Sequence, residues 1–292
     1  MTIKRTVVCA AVIAAACSAA AIWIADPRVK TVIICGVIAA ASCFLYRRVI
    51  RPMADLRHEA EEAREENEQL SHMRSDFVAN VTHELKTPLT SISGFVETLQ
   101  GGAAEDPEVR KKFLDIIAIE TTRLKRLISD ILVLSEIESS EEARQEKIDV
   151  QQTLEDIITV ETPHADEKHI QLITHFGTGL VLRGSRDRLE QMIINIVDNA
   201  IKYSDKESRV WISSFLSDGH VIIKVKDEGI GIAQENIPRL FERFYRVDES
   251  RSRQAGGTGL GLSIVKHIAS LFNASIHVDS TLGEGTEFTI RF

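Results

Sequence analysis

Apolar and polar positions recur with different periods along the chain, and the changes of period divide it into segments. Two charge-free stretches near the start have no period, because Thr6–Ile24 and Thr31–Tyr46 are apolar almost throughout. The first approaches the roughly 20 residues needed to cross a bilayer, and the second lies near the short limit. Lys4 and Arg5 precede the first run, while Arg47, Arg48 and Arg51 follow the second. Basic flanks favour the inner side, so residues 1–46 are expected to form a transmembrane hairpin with the rest of the chain in the cytoplasm. The outer connection, Ala25–Lys30, is too short for an external sensor domain. Two other readings of the first run stay open: a cleaved signal peptide, or a lipoprotein site at Ala14-Ala15-Ala16-Cys17. In each of them the second span still anchors the chain.

Residues 47–70 are rich in charge and in helix formers. Leu56, Ala63, Leu70 and Phe77 recur at seven-residue intervals, with Met53, Ala60 and Asn67 on the alternate seam. This pattern predicts a coiled-coil linker, or else a solvated charged helix. Arg51-Pro52-Met53 resembles the opening of the HAMP signalling module, but only one helix follows where that module needs two, so no complete module is expected. Next, Phe77, Val81, Leu85 and Leu89 make one apolar stripe on a helix that Gly101, Gly102 and Pro107 should end. A second helix is predicted from about Glu108 to Glu138. Phe113, Ile116, Ile117, Glu120, Leu124, Leu127, Ile131 and Leu134 define its face. Residues 71–139 thus read as an all-α hairpin that buries too little alone and is completed as a four-helix bundle by a second copy.

A charged linker, 140–147, leads into a segment of mixed periods, 148–292. Strands are expected at Ile170–Phe176, Leu180–Leu182, Val210–Phe215, His220–Lys226, Ser275–Val278 and Thr286–Phe292. Helices are expected at Asp187–Tyr203 and Leu260–Phe272. The sum is a two-layer α/β sandwich, a sheet with helices on one face.

Composition narrows the function. The net charge is −8, and no basic cluster is interleaved with aromatics, which disfavours a nucleic-acid partner. All four cysteines, Cys9, Cys17, Cys35 and Cys43, lie in the apolar runs, so no disulfide framework is expected in the remainder.

Candidate chemistry lies in four places. His83 falls off the apolar stripe and should face water, beside Glu84 and one turn from Thr87; Pro88 should bend the helix just beyond. An exposed histidine on an amphipathic helix is, by itself, simply a solvated residue. Asn195 and Asn199 share a helical face and offer oxygens to magnesium, Lys202 offers a charge to phosphate, and Tyr203 offers a ring to a base. Asp227 can accept from an exocyclic amine, and Gly229 and Gly231 allow backbone to approach a ring. Gly256, Gly257, Thr258, Gly259, Leu260 and Gly261 open a helix whose amides can meet an anion. No Walker loop occurs.

The stretch Phe77–Phe95, with its H-E-L-K-T-P-L-T core, resembles the H-box of bacterial sensor histidine kinases, closest to the phosphate-regulon and cell-wall sensor subgroups. The three later motifs resemble the N, G1 and G2 boxes of the ATP-binding fold shared with gyrase, Hsp90 and MutL. Leu240–Arg246 resembles the F-box, and Val247–Ala255 the mobile lid. The resemblance covers about Ser71–Phe292. It implies a homodimeric, multi-pass protein of the bacterial cytoplasmic membrane that binds ATP and Mg2+ and passes phosphate from His83 to an aspartate of a response regulator. It also implies that Glu84 is the acid-base neighbour, Thr87 positions water for dephosphorylation, Asn199 is the principal magnesium ligand, Asp227 binds adenine, and Arg246 reaches the γ-phosphate. Two departures stand out: Gly184-Ser185 replaces the usual Gly-Asp before the asparagine helix, and Asn273-Ala274 replaces a Gly-Gly after the last long helix. An ATP-hydrolysing switch and a regulator-binding module are the competing readings. The histidine helix disfavours the first, and the intact Asn199, Asp227 and Gly259 disfavour the second.

Overall fold

The computed structural model describes residues 11–12, 15–16, 19, 27–47, 51–139, 146–248 and 257–292. Contacts divide the chain into two units, Met1–Val78 and Ala79–Phe292. In the first unit, helix α1 (Pro27–Leu45) has 19 residues and is long and apolar enough to cross a membrane. Most of the other expected span, Thr6–Ile24, lies outside the described residues, as do Cys9 and Cys17. Helix α2 (Arg51–Gln100) starts here and runs unbroken through the predicted linker and the histidine segment. It passes Pro88 without ending.

In the second unit, the rest of α2 pairs with α3 (Pro107–Ser139). The reversal follows from local chemistry. Gly102 adopts a left-handed φ of 110°, a short 3-10 turn follows at Ala103–Glu105, and Asp106 accepts from the amides of Glu108 (2.9 Å) and Val109 (3.2 Å). An Asp cap followed by proline at the first helical position is a strong start signal. All eight residues of the predicted α3 face are buried or half-buried, and Phe95 packs on Phe113 at 4.9 Å between ring centroids. The outer faces still show apolar side chains, among them Leu89, Ile119, Ile128 and Leu132.

Beyond the hairpin lie β1 (Glu146–Asp149), α4 (Val150–Glu167), β2 (Gln171–Phe176), β3 (Val181–Gly184), α5 (Arg186–Tyr203), β4 (Arg209–Ser217), β5 (His220–Asp227), α6 (Gly261–Leu271), β6 (Ser275–Thr281) and β7 (Gly285–Arg291). The main sheet has the order β2-β4-β5-β7-β6, parallel only between β2 and β4. Two features differ from the sequence-based expectation. β1 and β3 form a separate antiparallel ribbon, not part of one sheet, and α4 was not anticipated. Among the described residues, the first strand of the α/β fold therefore starts at Glu146, inside the expected linker.

The core lies between the sheet and the helices. α5 contributes Leu189, Met192, Ile193, Ile196, Val197, Ala200 and Ile201, a stripe with helical spacing, and β5 contributes Val221, Ile223 and Val225 at alternate positions. Each such large apolar side chain contributes about 1.5–3 kcal/mol on burial, so the stripe fixes the rotation of α5 about its axis. That rotation decides which way Asn195 and Asn199 face.

Candidate functional site

A cavity of about 350 Å³ opens beside α5, between the ends of β5 and β7 and the turn before α6. Its wall includes Asn195, Asn199, Lys202, Tyr203, Asp227, Gly231, Arg246, Gly257, Thr258, Gly259 and Gly261. Most of the residues proposed for the cofactor from sequence are thus brought together. Leu260 and Gly229 are not on the wall. Leu260 is fully buried in the core as the residue capping α6. A methyl at Gly229 would stand 2.6 Å from the Tyr203 carbonyl oxygen, so that glycine serves the packing behind the cavity.

Asp227 occupies the last inward position of β5, where the alternation that buries Val221, Ile223 and Val225 turns a carboxylate toward the cavity. Burial pushes its carboxyl up to about 6, opposed by the amides of Gly229 (2.8 Å) and Thr286 (3.2 Å), which donate to Oδ1. Gly231 has φ +64°, and a methyl there would lie 2.0 Å from the Thr281 carbonyl oxygen. Only glycine lets this turn close against the β6–β7 hairpin.

On α5, the Asn195 amide donates to the Gly261 carbonyl at 3.2 Å, locking the asparagine face to the start of α6. Lys202 is paired with Asp198 at 2.5 Å. The Lys168 ammonium caps the C-terminal end of α5 on the carbonyls of Ile201 (2.9 Å) and Lys202 (2.7 Å). At the other end, Ser185 occupies the cap position but makes no side-chain bond. Glu146 of β1 accepts from the Arg186 amide instead, at 3.0 Å. The missing aspartate is thus replaced by a carboxylate from another strand. After α6, Asn273 takes φ +51°, Ala274 donates to the Ala269 carbonyl at 2.8 Å, and Asn273 donates to that of Ser270 at 3.1 Å. This is a complete Schellman ending with asparagine in the left-handed position.

The segment resembling the F-box is keyed to the glycine turn. Phe244 has φ +64°, and its amide donates to the Gly259 carbonyl at 2.8 Å. Arg246, only 5% exposed, donates through Nη2 to the Thr258 carbonyl and to Glu84 Oε2, both at 2.9 Å. Its Nε is buried and has no hydrogen-bond partner. Val247 and Asp248 line the cavity, while 249–256, including most of the expected lid and Gly256, lie outside the described residues.

The helical hairpin reaches the same cavity. Arg126 and Asp130 of α3 are part of its wall, and Asp130 accepts from the Thr258 hydroxyl at 2.6 Å. Burial pushes the Asp130 carboxyl upward. His83 is exposed, as the stripe predicted, and is not on the wall. Glu84 Oε2 accepts from Arg123 at 2.9 Å as well as from Arg246. Thr87 donates to the His83 carbonyl at 3.1 Å. Among the described residues, no hydrogen bond joins the His83 ring to Glu84.

Sequence reasoning missed Arg123, Arg126, Asp130, Asp198 and Glu146. A signal for two of these was present. Ile116, Glu120, Arg123, Leu127, Asp130 and Leu134 follow three- and four-residue steps, so the apolar seam of α3 contains charged residues that need partners.

Two family profiles match the chain: the His Kinase A (phospho-acceptor) domain over residues 73–140, and the Histidine kinase-, DNA gyrase B-, and HSP90-like ATPase over 184–292. The sensor-like histidine kinase SenX3 of Mycolicibacterium smegmatis is 39% identical over 226 residues, which cover 77% of this chain and 59% of that protein. The chain belongs to the sensor histidine kinases. Among solved structures, the histidine kinase AdeS of Acinetobacter baumannii superposes with a TM-score of 0.57 at 27% identity, covering 72% of this chain and 96% of that one. Full-length ShkA in complex with AMPPNP gives 0.55 at 26% identity, covering 74% and 45%. This histidine kinase chain therefore spans about three fifths of SenX3 and under half of ShkA. The matched ATPase profile starts after β1 and α4, which this chain nevertheless folds into the same unit.

Proposed function

We propose that the protein is a dimeric membrane kinase that transfers the γ-phosphoryl group of Mg-ATP to a ring nitrogen of His83 and then to an aspartate of a separate response regulator. The observation that carries this reading is the 2.9 Å bond between Arg246 and Glu84. It brings the helical turn bearing the histidine to the wall of the cavity. The ring nitrogen would form the N–P bond as the bond to the bridging oxygen breaks, with ADP leaving. Asp227 is suited to the adenine amine. Arg246, with an unpartnered buried Nε, is suited to the γ-phosphate. The AMPPNP in ShkA supports nucleotide binding at this fold.

Magnesium fits the donor set in a restricted way. Among the described residues, no group of three or more His, Cys, Asp or Glu is placed to hold a metal. Asn199 would give one amide oxygen, as suits an ion that otherwise keeps waters and nucleotide phosphates. Bound there, magnesium would supply charge neutralisation on the phosphates. Thr87, exposed one turn after His83, is the residue proposed to position water when the kinase dephosphorylates its regulator.

Dimerisation is supported by the exposed apolar residues of α2 and α3, which a second hairpin would cover. Membrane attachment rests on α1, with the first apolar run as its proposed partner in a two-span hairpin. The proposed boundaries follow these features: span segment 1–46, helical linker 47–70, phosphotransfer hairpin 71–139, and ATP-binding domain from Glu146.

The test is to incubate the full chain, in detergent, with γ-labelled ATP. The expected product is an acid-labile, alkali-stable phosphoprotein that disappears in His83→Ala. Label that persists in that variant would remove His83 from the mechanism.

A further inference from the structure

Glu84 Oε2 is shared by two guanidinium groups of different origin. Arg246 comes from the ATP-binding domain and, in the reading above, is wanted by the γ-phosphate. Arg123 comes from α3 and reaches Glu84 on α2, 39 positions away, across the hairpin at 2.9 Å. Because Arg123 and Glu84 lie on the paired helices of one hairpin, their bond holds wherever the nucleotide domain stands.

Arg123 is 9% exposed, at a seam position where an unpaired charge is costly. A nearer carboxylate in sequence is available. Glu120 Oε2 lies 3.8 Å from Arg123 Nη1, yet it is buried with no hydrogen-bond partner. The arginine therefore makes its short bond to the residue beside His83 and only a longer ion pair, 3.8 Å, to its neighbour on α3.

We propose that Arg123 is a positioning residue for phosphoryl transfer: it holds the Glu84 carboxylate beside His83 when Arg246 turns to the nucleotide. This rests on the kinase reading of the site. Arg123 touches neither nucleotide nor the reacting nitrogen, so its effect should fall on the rate of transfer and not on nucleotide affinity. It should also vanish when Glu84 has no charge to hold.

The experiment is a double-mutant cycle on the full chain in detergent, using single-turnover labelling of His83 at saturating Mg-ATP and AMPPNP titration. Arg123→Gln is expected to slow labelling about tenfold or more, as misplacement of a reacting group does. AMPPNP affinity should stay within about twofold, and Arg123→Lys should recover part of the rate. In a Glu84→Gln background, Arg123→Gln should cause no further loss. A loss that persists in full in that background, or a fall in affinity matching the fall in rate, overturns the proposal. If Arg123→Gln unfolds, Arg123→Lys with and without Glu84→Gln completes the same cycle. Absence of His83 labelling in the unmodified chain would instead overturn the kinase reading itself.

Discussion

Asp130 accepts a 2.6 Å hydrogen bond from the Thr258 hydroxyl, which ties the second hairpin helix to the glycine turn at the nucleotide cavity. A half-buried carboxylate on this wall opposes the arrival of phosphates by like-charge repulsion. Asp130→Asn keeps an acceptor for Thr258 and removes the charge. AMPPNP should bind roughly three- to tenfold more tightly, about 1 kcal/mol, as read by calorimetric titration. Weaker binding would mean that the carboxylate belongs to the productive site.

Asp227 gives a pH-dependent prediction. Its carboxyl is raised from 3.8 to about 6 in the folded chain, so ionisation opposes folding. The cost is fully present above pH 6, shrinks as pH falls from 6 to about 4, and is absent below that, reaching roughly 2–3 kcal/mol at neutrality. Asp227→Asn should raise the thermal midpoint at pH 7.5 and lose this advantage near pH 4. The same substitution should abolish AMPPNP binding. In the unmodified protein, affinity should weaken as pH drops through 6, because the protonated carboxyl is a poorer acceptor for an amine than the carboxylate.

Glu146 is expected to matter despite its place in a linker-like sequence. Glu146→Ala leaves the first turn of α5 uncapped, at a cost of about 1 kcal/mol, and loosens the helix that carries Asn195 and Asn199. The Michaelis constant for ATP should rise. Ser185→Asp in the Glu146→Ala background should restore both stability and affinity by supplying the cap locally.

Two glycines with similar backbone angles should differ in cost. Gly259, at φ +76°, would place a methyl 2.8 Å from Phe244 Cα, whereas Gly283, at φ +85°, has open space around it. Gly283→Ala should cost about 1 kcal/mol from its left-handed angle alone. Gly259→Ala should cost more and also break the Phe244 hydrogen bond, with loss of nucleotide binding as the readout.

The sequence was most legible where a single period dominates. The α5 stripe places Asn195 and Asn199 without help from elsewhere, and the α3 face follows from steps of three and four. β1 was unreadable because it is four residues long, charged at three of them, and buries only Ile148. α4 was missed because Thr153, Thr159, Thr162, Val160 and Pro163 are weak helix formers, and packing against α5 and β2 overrides them. The Arg246–Glu84 contact spans 162 positions, and no local pattern encodes it. Charged residues in the α3 seam were the one available clue to such long-range partners.

Pro88 has a mechanical consequence. It has no amide hydrogen, so the Glu84 carbonyl lacks its usual helical donor, and the Thr87 hydroxyl supplements the bonding of the His83 carbonyl one residue earlier. The backbone ladder of α2 is therefore missing a rung directly beside His83, within a helix that is otherwise continuous. Local bending of α2 is therefore least resisted in the turn that carries His83, which sets how readily that side chain can be re-aimed.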